Sequence, residues 1–232
     1  MPLSEKRPTG PVVGVDGSRG RWIAVAVGHD GAYHSAHLAD TLAEVLDRYS
    51  TAPVFAIDVP IGLPETGARK ADLEAKMLLG PRRSTVFAVP PRPVLVCDTY
   101  ADARKKAVEL TGKSISAQAF ALRHNVLEAE SLLDDERVFE VHPELAFRSL
   151  VGRVLTTNKR TWNGAVERQE ALASAGITLP ARLGDAGDAP VDDILDAAVC
   201  AWVARRIAVG ESERVPAEPE LDLTGRPVAI HF

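Results

Sequence analysis

The chain is poor in several things at once. It has two cysteines in 232 residues, Cys97 and Cys200, with no C-x-x-C spacing. That gives no sign of a disulfide framework, and the expected compartment is a reducing cytoplasm. Aromatic residues make up only 5%, which leaves little material for a stacking surface. No apolar run approaches the roughly 20 residues that a membrane span needs. The opening stretch Met1–Gly10 is polar and has no hydrophobic core, so a signal peptide is not expected. There is no excess of positive charge: the formal net charge is -5. No global basic field therefore marks a nucleic-acid binder, although a local basic face can coexist with net acidity. Repeats and low-complexity tracts are absent.

What is present is an ordinary globular composition, 46% hydrophobic and 25% charged, with enough chain to bury a sizeable core. Valine-rich residues 11–16, then 22–27 and 32–37 with Gly28-His29-Asp30-Gly31 between the last two, read as three consecutive antiparallel strands. Asp40 or Thr41 caps a helix over Leu42, Val45, Leu46 and Tyr49, which Pro53 stops. Residues 54–59 read as a short strand covered on both faces. A loop at 60–69 leads to a helix over Lys70–Leu79, an irregular proline-rich stretch to Pro93, and helices over 100–110 and 117–133. A strand at 138–141, a helix opened by Pro143, and helices over 160–175 and 191–209 follow. The segment after Gly210, charged and proline-containing, reads as a loosely packed surface tail over 211–232. The expected fold is a single α/β domain with a mixed sheet of about five strands flanked by helices. A helical insertion at about 65–135 separates strands four and five.

Two aspartates close apolar strands: Asp16, in Val12-Val13-Gly14-Val15-Asp16-Gly17, and Asp58, in Phe55-Ala56-Ile57-Asp58-Val59-Pro60. Aspartate is a poor strand former, so each needs a reason. In α/β sheets ligands bind outside the carboxyl ends of strands. If the two strands are parallel neighbours, the carboxylates stand about 5 Å apart. Asp193 and Asp196 share a helix face at i and i+3. Asp196 lies among alanines and other apolar residues, where a carboxylate without a cation or donor is costly. Convergent carboxylates raise one another's pKa, and a hard divalent cation, Mg²⁺ or Mn²⁺, relieves the repulsion. The plainer readings are that Asp193 favours the helix dipole, Asp58 caps a loop, and Asp16-Gly17 is a turn.

The segments Gly14-Val15-Asp16-Gly17 with Trp22, Ala56-Ile57-Asp58-Val59-Pro60-Ile61-Gly62-Leu63-Pro64 and Glu140-Val141-His142-Pro143-Glu144 resemble the DUF429 family. Gly80-Pro81-Arg82-Arg83-Ser84-Thr85-Val86-Phe87 and Lys159 with Glu167-Arg168 fit it as well. The family is described as predicted nucleases of the ribonuclease-H-like fold. The resemblance implies a ribonuclease-H-like sheet in which Asp16, Asp58, Asp193 and Asp196 hold Mg²⁺ or Mn²⁺ and a metal-bound water attacks a phosphodiester of DNA or RNA.

Glu140, His142 and Glu144 are further catalytic candidates, with the packed histidine and the helix-dipole charge as their alternatives. Arg69, Arg82, Arg83, Lys159 and Arg168 are candidates for holding substrate phosphate; a solvated charged surface is the alternative for each. Two other functions stay open. One is a nucleotide-binding phosphotransferase of the actin-like superfamily, with Asp16-Gly17-Ser18-Arg19-Gly20 around a phosphate. The other is a non-catalytic binding protein on the same fold.

Overall fold

The computed structural model describes residues 10–132 and 134–232. The N-terminal residues before Gly10, and Leu133 at the expected end of a helix, lie outside the described residues. In chain order the elements are β1 (Val12–Ser18), β2 (Arg21–Val27), β3 (Tyr33–Ala39), α1 (Leu42–Arg48), β4 (Phe55–Ile57), α2 (Lys70–Leu79), α3 (Arg92–Leu95), α4 (Tyr100–Thr111), α5 (Ala117–Ala121) and α6 (Arg123–Glu130). Then come β5 (Val138–Val141), α7 (Pro143–Val151), α8 (Trp162–Ser174), α9 (Val191–Ala208), β6 (Arg214–Leu221) and β7 (Pro227–His231). Short 3-10 turns occupy Gly80–Thr85 and Gly184–Asp188. Among the described residues no helix is long and apolar enough to cross a membrane.

These elements form two compact units. The first holds residues 10–58, Arg137–Phe139 and Thr157–Ser212. Its sheet is mixed, in the order β3-β2-β1-β4-β5. β2 lies antiparallel to both β1 and β3, as the meander reading expected, with Val12 opposite Val27 and Asp16 opposite Ile23. β4 lies parallel to β1, with Val13 opposite Phe55 and Val15 opposite Ile57. The valines of β1 and the whole of β4 are buried, which is why both read as unbroken apolar runs. The Thr41 hydroxyl, not Asp40, caps α1 by accepting the Glu44 N–H.

α9 packs on β1 and is buried along almost its whole length, from Ile194 to Ala204. Gly14 is where the two meet. A Cβ there would stand 2.0 Å from the Ala201 backbone N and 2.1 Å from the Ala197 carbonyl. Glycine on the strand and alanines on the helix therefore set the depth of the contact, and no larger residue fits on the strand side.

The second unit holds Val59–Glu136, Glu140–Thr156 and Glu213–Phe232. Helices α2 to α6 fall where the insertion was expected. The single helix expected over 117–133 is broken: Leu122 ends α5 and begins α6, and Ser116 caps the first piece. The tail expected after Gly210 is not loose. β6 and β7 pair antiparallel, and β7 runs parallel to β5, with Glu140 opposite Ile230. Val215, Val228, Ile230 and Phe232 join Ala71, Ala75, Leu79 and Leu145 in one core cluster. Hydrophobic burial of this closing segment overrode its charged and proline-rich composition.

Because the atoms that a Gly14 side chain would strike are backbone, relaxation is limited. We expect Gly14→Ala to lower the unfolding free energy by about 3 kcal/mol, the upper end for overpacking, as read from the urea midpoint. An unchanged midpoint contradicts this packing.

Candidate metal centre

The register of β1 and β4 decides where the site forms. Val15 pairs with Ile57, so the next residue on β1 and the next on β4 leave the sheet side by side. The Asp58 N–H donates to the Val15 carbonyl at 2.9 Å and extends the pairing by one step. These residues are Asp16 and Asp58. From the third side α9, seated on Gly14, presents Asp196. One carboxylate oxygen from each of Asp16, Asp58 and Asp196 lies within 4.8 Å of the others. Asp16 and Asp196 are buried and Asp58 is half-buried.

Bringing these charges together out of water has a cost. Burial first, then repulsion from Asp58, Asp196 and Asp193, holds Asp16 well above the usual carboxylate range, with Lys159 opposing. Asp16 also accepts the Gly17 N–H at 2.7 Å, which fixes its rotamer. Asp193 lies one helical turn before Asp196, beside the Ser18 hydroxyl. Burial and neighbouring Asp192 raise its pKa, and that hydroxyl lowers it. Among the described residues the group of three does not include Asp193. It stands behind the cluster as a nearby negative charge.

Lys159 is the cation of the cluster. Its ammonium donates to the Asp196 Oδ2. Burial works against its charge, but Asp196, Asp16 and Asp58 outweigh burial and hold the ammonium protonated. The loop that carries it is built to stay in place. Thr157 donates to Glu167, Arg160 N–H donates to the Asn158 side chain, and Thr161 N–H and hydroxyl both donate to the Asn158 carbonyl. Thr161 caps α8 through the Gly164 N–H. Gly164 packs so closely that a Cβ would stand 1.9 Å from the Asn158 carbonyl oxygen. Arg160 reaches Asp192 at 3.2 Å. Cys200, one turn beyond Asp196, is held as a neutral thiol, first by burial and then by Asp58, Asp16 and Asp196.

The donor set thus consists of carboxylate oxygens, with no imidazole and no thiolate. It could hold a metal ion, and its chemistry fits a hard cation.

The other candidates are placed differently. Arg69 is 3% exposed and all five of its N–H donors are in use. Nε and Nη2 reach Asp72, Nη1 and Nη2 reach Glu140, and Nη1 also reaches the Ile61 carbonyl. It has no donor left for a substrate phosphate, which corrects that expectation. Glu140 is its partner and also accepts the Ile61 N–H at 2.8 Å, so its carboxylate serves an internal ion network. Glu144 is buried and pairs with Arg82 at 3.2 Å. His142 places Nε2 3.2 Å from the Thr85 carbonyl, so that nitrogen carries the hydrogen.

These five residues lie in the second unit. They tie the Ile61 turn and the Gly80–Thr85 turn to the end of β5 and the start of α7. Two of the sequence segments noted above are thus each other's structural partners. Arg83 is exposed on its turn. Arg168 is fully buried in α8, donating to the Gly164 carbonyl at 3.1 Å, and does not reach solvent as a phosphate ligand must. Sequence reasoning missed Asn158, Gly164 and Asp72. Only Asp72 carried a local signal, three residues from Arg69 at the start of a helix.

Two outcomes follow. The Asp16 carboxyl titrates above its ordinary 3.8 when folded, so the folded state holds that proton more tightly than the unfolded chain. The metal-free fold therefore loses stability as pH rises from about 4. Melting in EDTA should show Asp16→Asn more stable than wild type at pH 7, with the gap closing toward pH 4; a gap independent of pH contradicts this. Arg69→Met strands two buried carboxylates and should cost about 3–5 kcal/mol by urea unfolding. A loss under about 1 kcal/mol would show the network to be dispensable.

No curated protein and no solved structure matches the chain significantly. A family model does: the one described as "Protein of unknown function (DUF429)" matches residues 14–221. With its strand-end aspartates and the tied Ile61 and Gly80–Thr85 turns inside that span, the chain belongs to the DUF429 family.

Proposed function

We propose that the protein is a divalent-metal-dependent nuclease, hydrolysing phosphodiester bonds of nucleic acid on a ribonuclease-H-like arrangement of strands. The observation that carries this reading is the convergence of Asp16, Asp58 and Asp196 from two parallel strand ends and one buried helix. Mg²⁺ or Mn²⁺ suits an all-oxygen donor set. When bound, such an ion lowers the pKa of a water and polarises the phosphoryl oxygen. Asp16, Asp58 and Asp196 are the residues that hold it.

The chain's own groups supply the rest. Lys159 orients Asp196 by direct donation. Arg160, 80% exposed at its side chain and anchored on Asp192, and Trp162, 81% exposed at the start of α8, lie two residues apart and face solvent. A guanidinium there suits a backbone phosphate, and an indole suits a base. Two thiols without a disulfide fit a reducing cytoplasm, which we propose as the compartment. The phosphotransferase reading gains less support. The Gly17 N–H is spent on Asp16, and it is one of the backbone donors expected to cradle a phosphate.

The test is cleavage of labelled single- and double-stranded DNA and RNA by the purified protein with Mg²⁺ or Mn²⁺. Cleavage should stop in EDTA and fall about 100-fold or more in Asp58→Asn, the scale of losing one electrostatic stabiliser of the transition state. Undiminished cleavage in either condition overturns the proposal. Metal-dependent ATP hydrolysis without strand cleavage would establish the phosphotransferase instead.

A further inference from the structure

A carboxylate cluster of this kind can be neutralised by two divalent ions about 4 Å apart, each holding one oxygen of the reacting phosphate. The arrangement around Asp196 argues for a different count. We infer that Lys159 stands in the place of a second divalent ion, so that the site takes a single metal ion per chain. This inference rests on the metal-dependent reading of the site given above.

Three observations support it. The first is position. The Lys159 ammonium bonds directly to the Asp196 Oδ2, and Asp16 and Asp58 also act on its charge, with Asp193 beyond them. It is therefore inside the field of all three ligands and not a neighbour of one. The second is charge. Asp16, Asp58 and Asp196 carry three negative charges when ionised. One ammonium and one divalent ion supply three positive charges, which balance the three ligands, with Asp193 outside them as a further negative charge. A second divalent ion beside the ammonium would leave the three ligands with two positive charges in excess, more than Asp193 alone offsets, in a buried place, which is unfavourable.

The third is rigidity. A lysine that moved aside on metal entry would be expected on a loose loop. Here Thr157, Asn158, Thr161 and Gly164 fix the loop by side-chain bonds on both sides of Lys159 and by a contact that tolerates no Cβ. Asp193, the carboxylate that a second ion would need, lies outside the group of three. Lys159 is a positioning residue in this account: it holds Asp196 and supplies a fixed charge.

The test counts ions, with no substrate present. Mn²⁺ alone is titrated into wild type, Lys159→Met and Lys159→Arg, with bound ions counted by calorimetry and by electron paramagnetic resonance. Methionine keeps the length of the side chain and removes its charge; arginine keeps the charge. Wild type and Lys159→Arg should each bind about one ion, and Lys159→Met about two, with the dipolar broadening of a coupled Mn²⁺ pair in its spectrum. Two ions in wild type, or a single ion in Lys159→Met, overturns the inference and leaves the metal reading standing. No ion in wild type overturns the metal reading itself. If Lys159→Met does not fold, wild type decides alone by the same count: a broadened two-ion spectrum refutes, and a single uncoupled ion upholds.

Discussion

Asp16, Asp58 and Asp196 repel one another, and much of the first unit exists to hold them together. Strand pairing sets two of them side by side, because a parallel register of Val15 with Ile57 leaves no other place for the residues that follow. A helix cannot bring the third so near unless the strand surface is bare, and Gly14 makes it bare. Lys159 then offsets part of the repulsion. Remove the glycine and the helix lifts; remove the lysine and three carboxylates face one another with no counter-charge.

A second polar device works by the opposite logic. Arg69, Glu140 and Asp72 are buried with every guanidinium donor matched, so the group is closed to ligands. A buried ion network of this kind is weak evidence for stability, since desolvation opposes the attraction. Its effect here is geometric: it fixes the turn around Ile61, which follows Asp58 in the chain. The cluster at the strand ends is polar, strained by like charge and left with carboxylate oxygens that a cation can use. The contrast separates a structural acidic residue from a candidate ligand better than burial does, because Glu140 and Asp16 are buried alike.

This contrast also explains what the sequence let one read. Strand-end aspartates were legible because an apolar run that stops on a carboxylate has few explanations. Asp196 was legible because helices rarely bury an acid among alanines. The parallel neighbouring of β1 and β4 was a condition in the sequence, and the structure supplies it. The fate of Arg69 was not legible: basic residues look alike in a sequence, and its main partner lies 71 positions away. Asp193 looked like a ligand by spacing alone, and only the structure leaves it outside the group of three. The closing strands were hidden by their composition. β6 has two prolines and three charged residues, and the short Val228-Ala229-Ile230 run with Phe232 was the one signal that this segment is core.

The most direct measurement is a crystal structure of the protein soaked in Mn²⁺, with anomalous scattering used to locate the ion. The account predicts a peak coordinated by Asp16, Asp58 and Asp196 at about 2.1 Å from their oxygens, with Lys159 still bonded to Asp196. Fully ordered carboxylates with no peak between them at saturating Mn²⁺ would contradict it, and the cluster would then be a lysine-balanced structural feature.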